Sequence, residues 1–473
     1  MRTRKVLAFG VALALVLAAC GGGDDDDGGN GGAGNGGGGD DDEESLADLC
    51  PLGAIEESGG PVEVVYWHSM QDANEETLTE LTNEFNASQQ DVRVTLVNQT
   101  SYQDTLEKYR VSLGSGDLPD LIQIEDTGTQ VMIDSQGVLP AQACVDAGDL
   151  DLSDMIERVH AYYSVEDVLY PVPFNVSNPI LYYNKQAFEA AGLDPERPPA
   201  TLDEVREYSQ AIVDNTDWEY GITFIRNGWF LEHWLAMAGE PYADNGNGRE
   251  GRATEVLFDS DAGVEMFEWL DQMVADGLAR DVGGGTANIE HFAAVGNNNA
   301  AMTWDTSAAL GQVLALLPQF PNVTLGAGRF PGPEGAGGVL VGGAANYILN
   351  SSSPAEQEGA YRFAKFLAEA QSQATWSAGT GYLPIRESAI ELSPLVERWA
   401  ENPEFRISYD QLLDAENNVA TAGPVMGAYQ GVRDEVENAM EVIFTTSTPA
   451  AQALADAKAK ADAVLQDYND RVG

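Results

Sequence analysis

Pro173-Phe174-Asn175-Val176-Ser177-Asn178-Pro179-Ile180-Leu181-Tyr182-Tyr183-Asn184-Lys185 is the stretch on which the fold turns. Each proline pushes its predecessor out of the α region, so Pro173 and Pro179 bracket a segment that cannot be helical. Inside the bracket, Asn175, Ser177 and Asn178 offer donors and acceptors on what reads as a rigid turn placed to grip a ligand. Beyond it, residues 180–183 are a compact apolar and aromatic run of strand character, and Asn184-Lys185 opens a helix. A polar turn running into a crossover strand implies an organised element on either side.

Those elements are legible. Residues 62–67 read as a β-rich strand, 74–88 as a helix with Leu78, Leu81 and Phe85 at core spacing, and 92–97 as a second strand, which starts a parallel sheet. A helix over 102–113 ends at Gly114-Ser115-Gly116, and a short strand at 121–124 leads into the acidic turn Glu125-Asp126-Thr127-Gly128-Thr129. Ligands of open α/β sheets sit beyond the carboxyl ends of strands, so this turn is a natural site position. After the central stretch come helices at 185–191 and 202–215, with a proline-rich loop at 193–199 between them. A second α/β unit follows: strand 221–224, helices 229–238 and 262–276, strand 300–304 and helix 307–316. Residues 337–350 read as a strand, 354–370 as an amphipathic helix, and the chain is helix-rich from Arg386 onward. The fold class is therefore α/β with two lobes: 45–180 as the first, 181–345 mainly as the second, and 346–473 packing on both. A chain that crosses between lobes more than once makes a hinge with a cleft.

The chain has 473 residues, with 24 Lys+Arg against 76 Asp+Glu and a net charge of -52. Nucleic acid and anionic membrane surfaces need cationic patches, so this balance argues against both as partners. Arg2, Arg4 and Lys5 precede an apolar run over 6–17, and Leu17-Ala18-Ala19-Cys20 follows, the pattern of a secretory leader (1–20) ending in a lipobox-like cysteine. Residues 21–44 are almost entirely Gly, Asp, Asn and Glu and read as a disordered acidic tether. At roughly 5–6 Å times the square root of residue number, it would hold the domain about 25–30 Å from the lipid. Two further cysteines, Cys50 and Cys144, are an even remainder in an exported chain, which predicts a disulfide between them rather than a metal site.

His68, His160, His233 and His291 are scattered without ligand spacing, so neither a zinc centre nor any other cofactor is expected. There is no Gly-x-Ser-x-Gly elbow and no phosphate-binding Gly-x-x-x-x-Gly-Lys loop. Gly246-Asn247-Gly248-Arg249-Glu250-Gly251 matches Gly-x-Gly-x-x-Gly but follows no strand and reads as a surface turn. Polar and aromatic residues instead fall at expected loop positions: Trp67-His68, Tyr102, Asp126, Ser177, Trp229, Trp304 to Thr306, Tyr382 and Arg433. Aromatic faces with a few directed hydrogen bonds suit a concave site for a small polyol. A binding protein is the economical reading. A secreted hydrolase of glycosides or phosphodiesters is the alternative from another class, and no residue spacing demands it.

A set of motifs recurs in order along the chain: Trp67-His68-Ser69-Met70, Phe85-Asn86-Ala87-Ser88, Ser101-Tyr102, Gly128-Thr129, Pro173-Phe174-Asn175, Leu181-Tyr182-Tyr183-Asn184-Lys185, Gly342-Gly343-Ala344 and Thr380-Gly381-Tyr382-Leu383-Pro384-Ile385. With them, from about Pro61 to the C-terminus, the chain resembles the extracellular solute-binding proteins of ABC importers, in particular the glycerol-3-phosphate and glycerophosphodiester binders. The resemblance implies the two-lobe, type II-like periplasmic-binding-protein fold. It also implies a non-enzymatic, monomeric lipoprotein on the outer face of the cell membrane, with permease subunits as partners. Its implied ligand contacts are Tyr102 and Asp126 from the first lobe, Ser177, Trp229, Thr306 at a helix start, the Gly342 backbone N–H, Tyr382, and Arg433 as the charged clamp. Arg226 departs from the family pattern, standing where a tryptophan can pack on the glycerol; it points to added phosphate affinity or to a different ligand, such as a neutral sugar of the maltose type. Plainer readings stay open: Tyr102 and Tyr382 as half-buried aromatics, Asp126 and Thr306 as helix caps, Trp229 as core, Arg226 as solvated surface, and Arg433 in a surface ion pair.

Overall fold

The computed structural model describes residues 45–285, 289–333 and 338–473. The leader, Cys20 and the tether therefore lie outside the described residues. In chain order the strands are β1 (Val62–His68), β2 (Val92–Asn98), β3 (Leu121–Glu125), β4 (Val138–Leu139), β5 (Ser164–Val165), β6 (Val168–Leu169), β7 (Val172–Ser177), β8 (Pro179–Asn184), β9 (Tyr220–Arg226), β10 (Ala279–Gly284), β11 (Ala300–Thr306), β12 (Leu325–Arg329) and β13 (Gly342–Leu349). A six-stranded sheet runs β2-β1-β3-β13-β4, with β7 on β13, and a five-stranded sheet runs β10-β9-β11-β8-β12. β1 pairs parallel with β2 and β3, as a strand-helix-strand start requires, while β13 returns antiparallel between β3 and β4. In the second sheet β9 pairs parallel with β10 and β11, and β8 lies antiparallel between β11 and β12.

The central stretch is where the two sheets meet, and here the structure corrects the sequence reading. Residues 172–177 are not a turn but β7, every residue buried and all but Phe174 paired antiparallel with β13, Ser177 opposite Gly342. Proline lacks a ladder donor and is tolerated in a strand at an edge or a bulge. Pro173 has both conditions, since β7 pairs with β13 and the register shifts between Ala344 and Ala345. The chain then changes sheets at Asn178 alone and continues as β8. Asn178 is fully buried; its Nδ2 donates to the Ser408 carbonyl at 2.9 Å and its Oδ1 accepts from Gln411 Nε2 at 2.9 Å. The same Gln411 accepts from the Phe330 N–H at 2.7 Å, and the Ser307 N–H donates to the Asn178 carbonyl at 2.9 Å. The crossing at 178 is thus tied to Ser408 and Phe330 by two side-chain amides and to Ser307 by its own main-chain carbonyl.

Apolar side chains beneath both sheets form one connected core. In the second lobe Phe224 stacks on Trp304 at 5.6 Å, and Trp234 meets Trp304 edge-on at 5.5 Å and stacks on Phe330 at 5.5 Å. Trp304, expected at a loop position, is therefore a β11 core residue, and Trp67 is likewise buried in β1. In the first lobe Tyr66, Phe85 and Phe363 pack edge-on beneath β1. Cys50 and Cys144 are bonded, with Cα atoms 4.9 Å apart, which fixes the segment before β1 to the helix Gln142–Asp146. The glycine-rich 246–251 segment is a turn but not a superficial one. Asn245, Gly246 and Asn247 are left-handed, and buried Asn247 Oδ1 accepts the N–H groups of Tyr242 and Ala243.

Candidate functional site

The junction between the sheets gathers most of the residues singled out above. Tyr102 is the first residue of the helix Tyr102–Ser112, whose N-cap Ser101 accepts from the Asp104 N–H. Its hydroxyl lies 3.0 Å from the Tyr382 hydroxyl and accepts from Asn175 Nδ2 at 2.9 Å, while Asn175 Oδ1 accepts from Gln123 Nε2. One polar chain therefore runs from β3 through β7 to the two phenols. Burial raises both phenol pKa values, so both tyrosines are neutral donors. Beside them, β3 ends at Glu125, and Asp126 begins the turn Asp126–Gly128 that enters the helix Thr129–Asp134.

Arg433 holds the centre. The helix Tyr429–Thr445 buries Tyr429, Val432, Arg433, Val436, Ala439, Met440 and Ile443, so Arg433 belongs to its inward stripe. Its Nε and Nη2 donate to Glu232 Oε1 and Oε2 at 2.6 and 2.8 Å, a bidentate pair between two buried side chains. Its Nη1 lies 3.8 Å from Glu125 and its Nη2 3.8 Å from Asp126, beyond hydrogen-bond length. Tyr429 presents its ring 4.9 Å from the guanidinium carbon. Gly228 lets this helix approach, since a Cβ there would lie 3.1–3.3 Å from Arg433 atoms. Arg433 is not in a surface ion pair with the acids beside it; it is buried and bonded to Glu232.

Desolvation raises the Asp126 carboxyl to about 8, outweighing the nearby guanidinium, with Glu125 and Glu232 adding to the rise. Glu125 is raised for the same first reason. Asp126 Oδ1 accepts from the Thr127 N–H at 2.7 Å and Oδ2 from the Tyr162 hydroxyl at 3.3 Å. Trp229 lies against β13: a Cβ on Gly342 would stand 2.7 Å from its ring. Thr306 pairs with Pro179 across β11 and β8, and its Oγ1 accepts from the Ala308 N–H, so it caps the short helical turn that follows. Arg226 stands apart. It pairs with Glu441 and, at 3.4 Å, with Asp281, and lines a cavity of about 310 Å³ with Gln103, Asn227, Gln430, Asp434 and Glu437.

Residues 80–406 match the family model described as bacterial extracellular solute-binding protein. The chain belongs to that family. As a solute-binding protein it is similar to the sn-glycerol-3-phosphate-binding periplasmic protein UgpB of Pectobacterium atrosepticum, 29% identical over 433 residues that cover 89% of this chain and 96% of that protein. The UgpB of Brucella melitensis is 30% identical over 410 residues, covering 85% and 93%. Among solved structures, UgpB from Mycobacterium tuberculosis in complex with glycerophosphocholine matches with a TM-score of 0.73 at 20% identity, over 86% of this chain and 99% of that one. The sugar-binding protein MalE of Xanthomonas citri matches at 0.71 and 19%, over 86% and 98%. These likenesses show the two-lobe solute-binding fold.

Two site residues escaped the sequence reading as individuals. Glu125 was visible only as part of the acidic turn. Glu232 had a signal: it is the single acid in Trp-Phe-Leu-Glu-His-Trp-Leu-Ala-Met-Ala, a helix apolar enough to be buried all round. An acid there needs a cationic partner.

Proposed function

We propose that this solute-binding protein is a lipid-anchored, monomeric, non-enzymatic receptor that captures sn-glycerol 3-phosphate or a glycerophosphodiester between its lobes and delivers it to an ABC permease. The observation that carries the reading is the free end of the Arg433 guanidinium. Glu232 takes Nε and one hydrogen of Nη2, and Nη1 makes no hydrogen bond among the described residues, so Nη1 and the second Nη2 hydrogen form a fork that fits two phosphate oxygens. Tyr102 and Tyr382 supply hydroxyl donors, and Glu125 with Asp126 can receive glycerol hydroxyls. Ser177 and Gly342, opposite one another on β7 and β13, and Thr306 complete the wall, with the Trp229 ring as the apolar face. Arg226 is the outer cation, at the rim of the cavity. The names of the UgpB relatives agree with this ligand class. Anchoring is through Cys20, at the end of Leu17-Ala18-Ala19, with the acidic tether behind it.

Isothermal calorimetry with sn-glycerol 3-phosphate, glycerophosphocholine and maltose tests the proposal. Binding of a phosphate ligand, abolished or weakened at least a hundredfold by Arg433→Ala and recovered chemically unchanged, is expected. A neutral sugar is the second reading, favoured by one feature: Glu232 already offsets the charge of Arg433. Maltose binding tighter than either phosphate ester would establish it.

A further inference from the structure

The two edges of Arg433 are not equivalent. The Nε–Nη2 edge is filled by Glu232, with side chains 6% and 1% exposed, so the guanidinium plane is set before any ligand arrives. The Nη1–Nη2 end faces Glu125 and Asp126, each 3.8 Å away. Taken together, the pair Arg433–Glu232 carries no net charge, and no other Lys or Arg is paired with these carboxylates among the described residues. An anion entering here gains directed hydrogen bonds but meets no surplus positive charge.

We propose that Glu232 is a specificity-determining positioning residue, which aligns Arg433 and cancels its charge so that the site selects a singly charged phosphodiester over a doubly charged phosphomonoester. The inference rests on the phosphate reading above and narrows it. A phosphomonoester has a second pKa of about 6 and carries nearly two charges above neutrality, whereas a diester carries one. Two oxygens of either ester can take the fork, so the hydrogen bonds do not discriminate; the extra charge does, because it enters a desolvated site where Glu232 already offsets Arg433. Gln430, Asp434 and Glu437, on the helix that carries Arg433, line a separate cavity of about 310 Å³ with Gln103 and Arg226.

The test is calorimetry on the full chain at pH 7.5 with sn-glycerol 3-phosphate and glycerophosphocholine. The wild type should bind the diester at least tenfold tighter. Glu232→Gln keeps an acceptor for the guanidinium edge and removes the charge, so it should move the ratio of the two affinities toward the monoester by tenfold or more. Glu232→Asp keeps the charge and should keep the ratio. A ratio unchanged in Glu232→Gln, or a wild type that prefers the monoester, overturns the inference. If Glu232→Gln does not fold, the wild type alone decides: between pH 7.5 and 5.5 the monoester loses its second charge and the ratio should narrow. Of the groups that face Arg433, Tyr429 and His233 stay neutral, and the raised carboxyls of Glu125 and Asp126 only gain protons on the way down, which also favours the monoester, so a ratio constant across that range is equally fatal. A wild type that binds neither ester but binds maltose overturns the phosphate reading itself, and the inference with it.

Discussion

Asp126 shows how burial and charge compete at one residue. A guanidinium 3.8 Å away favours the carboxylate, yet loss of water outweighs it and the carboxyl rises from 3.8 to about 8. Because the folded pKa lies above the unfolded one, the folded protein holds a proton between about pH 4 and 8 that the unfolded chain does not. Its contribution to stability is full below pH 4, falls as pH rises through that window, and is lost above about 8. Asp126→Asn stays neutral throughout. Urea unfolding at pH 5, 6, 7 and 8 should show the variant gaining on the wild type at each step up; a constant difference would contradict the assignment. The residue itself was readable, since the acidic turn follows a short strand and such positions face ligands. Its protonation was not, because it depends first on burial by distant elements and then on Arg433 and Glu232, which lie far away in sequence.

At the scale of elements, the crossing between β7 and β8 is held by side-chain amides rather than by apolar contact. Asn178 and Gln411 satisfy one another and also the Ser408 and Pro179 carbonyls and the Phe330 N–H. Removing one amide strands buried partners, which costs about 1–3 kcal/mol for each unsatisfied group. Asn178→Ala should therefore lower unfolding stability by about 2 kcal/mol or more in urea titration, although the side-chain hydrogen bonds of Asn178 go to Ser408 and Gln411 rather than to the site. Stability within a few tenths of the wild type would mean that the knot is not what ties the crossing. The prolines that bracket this segment correctly exclude helix. They misdirect on strand, because whether a proline can sit in a strand depends on an edge or bulge that a distant β13 creates.

Over the whole molecule the charge is the dominant fact. With a net charge of -52 the chain repels itself, and its exposed pairs, such as Lys185–Glu196 and Arg406–Asp410, add little stability in water. Salt screens both, and the repulsion is by far the larger sum. Raising KCl from 0.05 to 1 M should therefore raise Tm by about 3 °C or more, read by circular dichroism or calorimetry. A fall in Tm would show that specific pairs, not the field of the whole chain, control stability.

What the sequence by itself determined was everything that depends on neighbours along the chain: apolar period, capping residues and breakers placed the first strands and helices, and ordered motifs placed the chain among solute-binding proteins. Asp126 and Tyr102 were legible as the ends of a short strand and a helix, whereas Tyr382 was singled out by its motif, since the helix before it carries no clear apolar period. The tertiary structure alone decided that residues 172–177 join the first sheet, that Trp304 is core, and that Thr306 caps a turn. It alone paired Arg433 with Glu232, 201 residues away. The reason is physical: a hydrophobic pattern says that a helix is buried, but the partner that makes a buried charge tolerable is chosen by packing between elements, and that choice leaves almost no local trace.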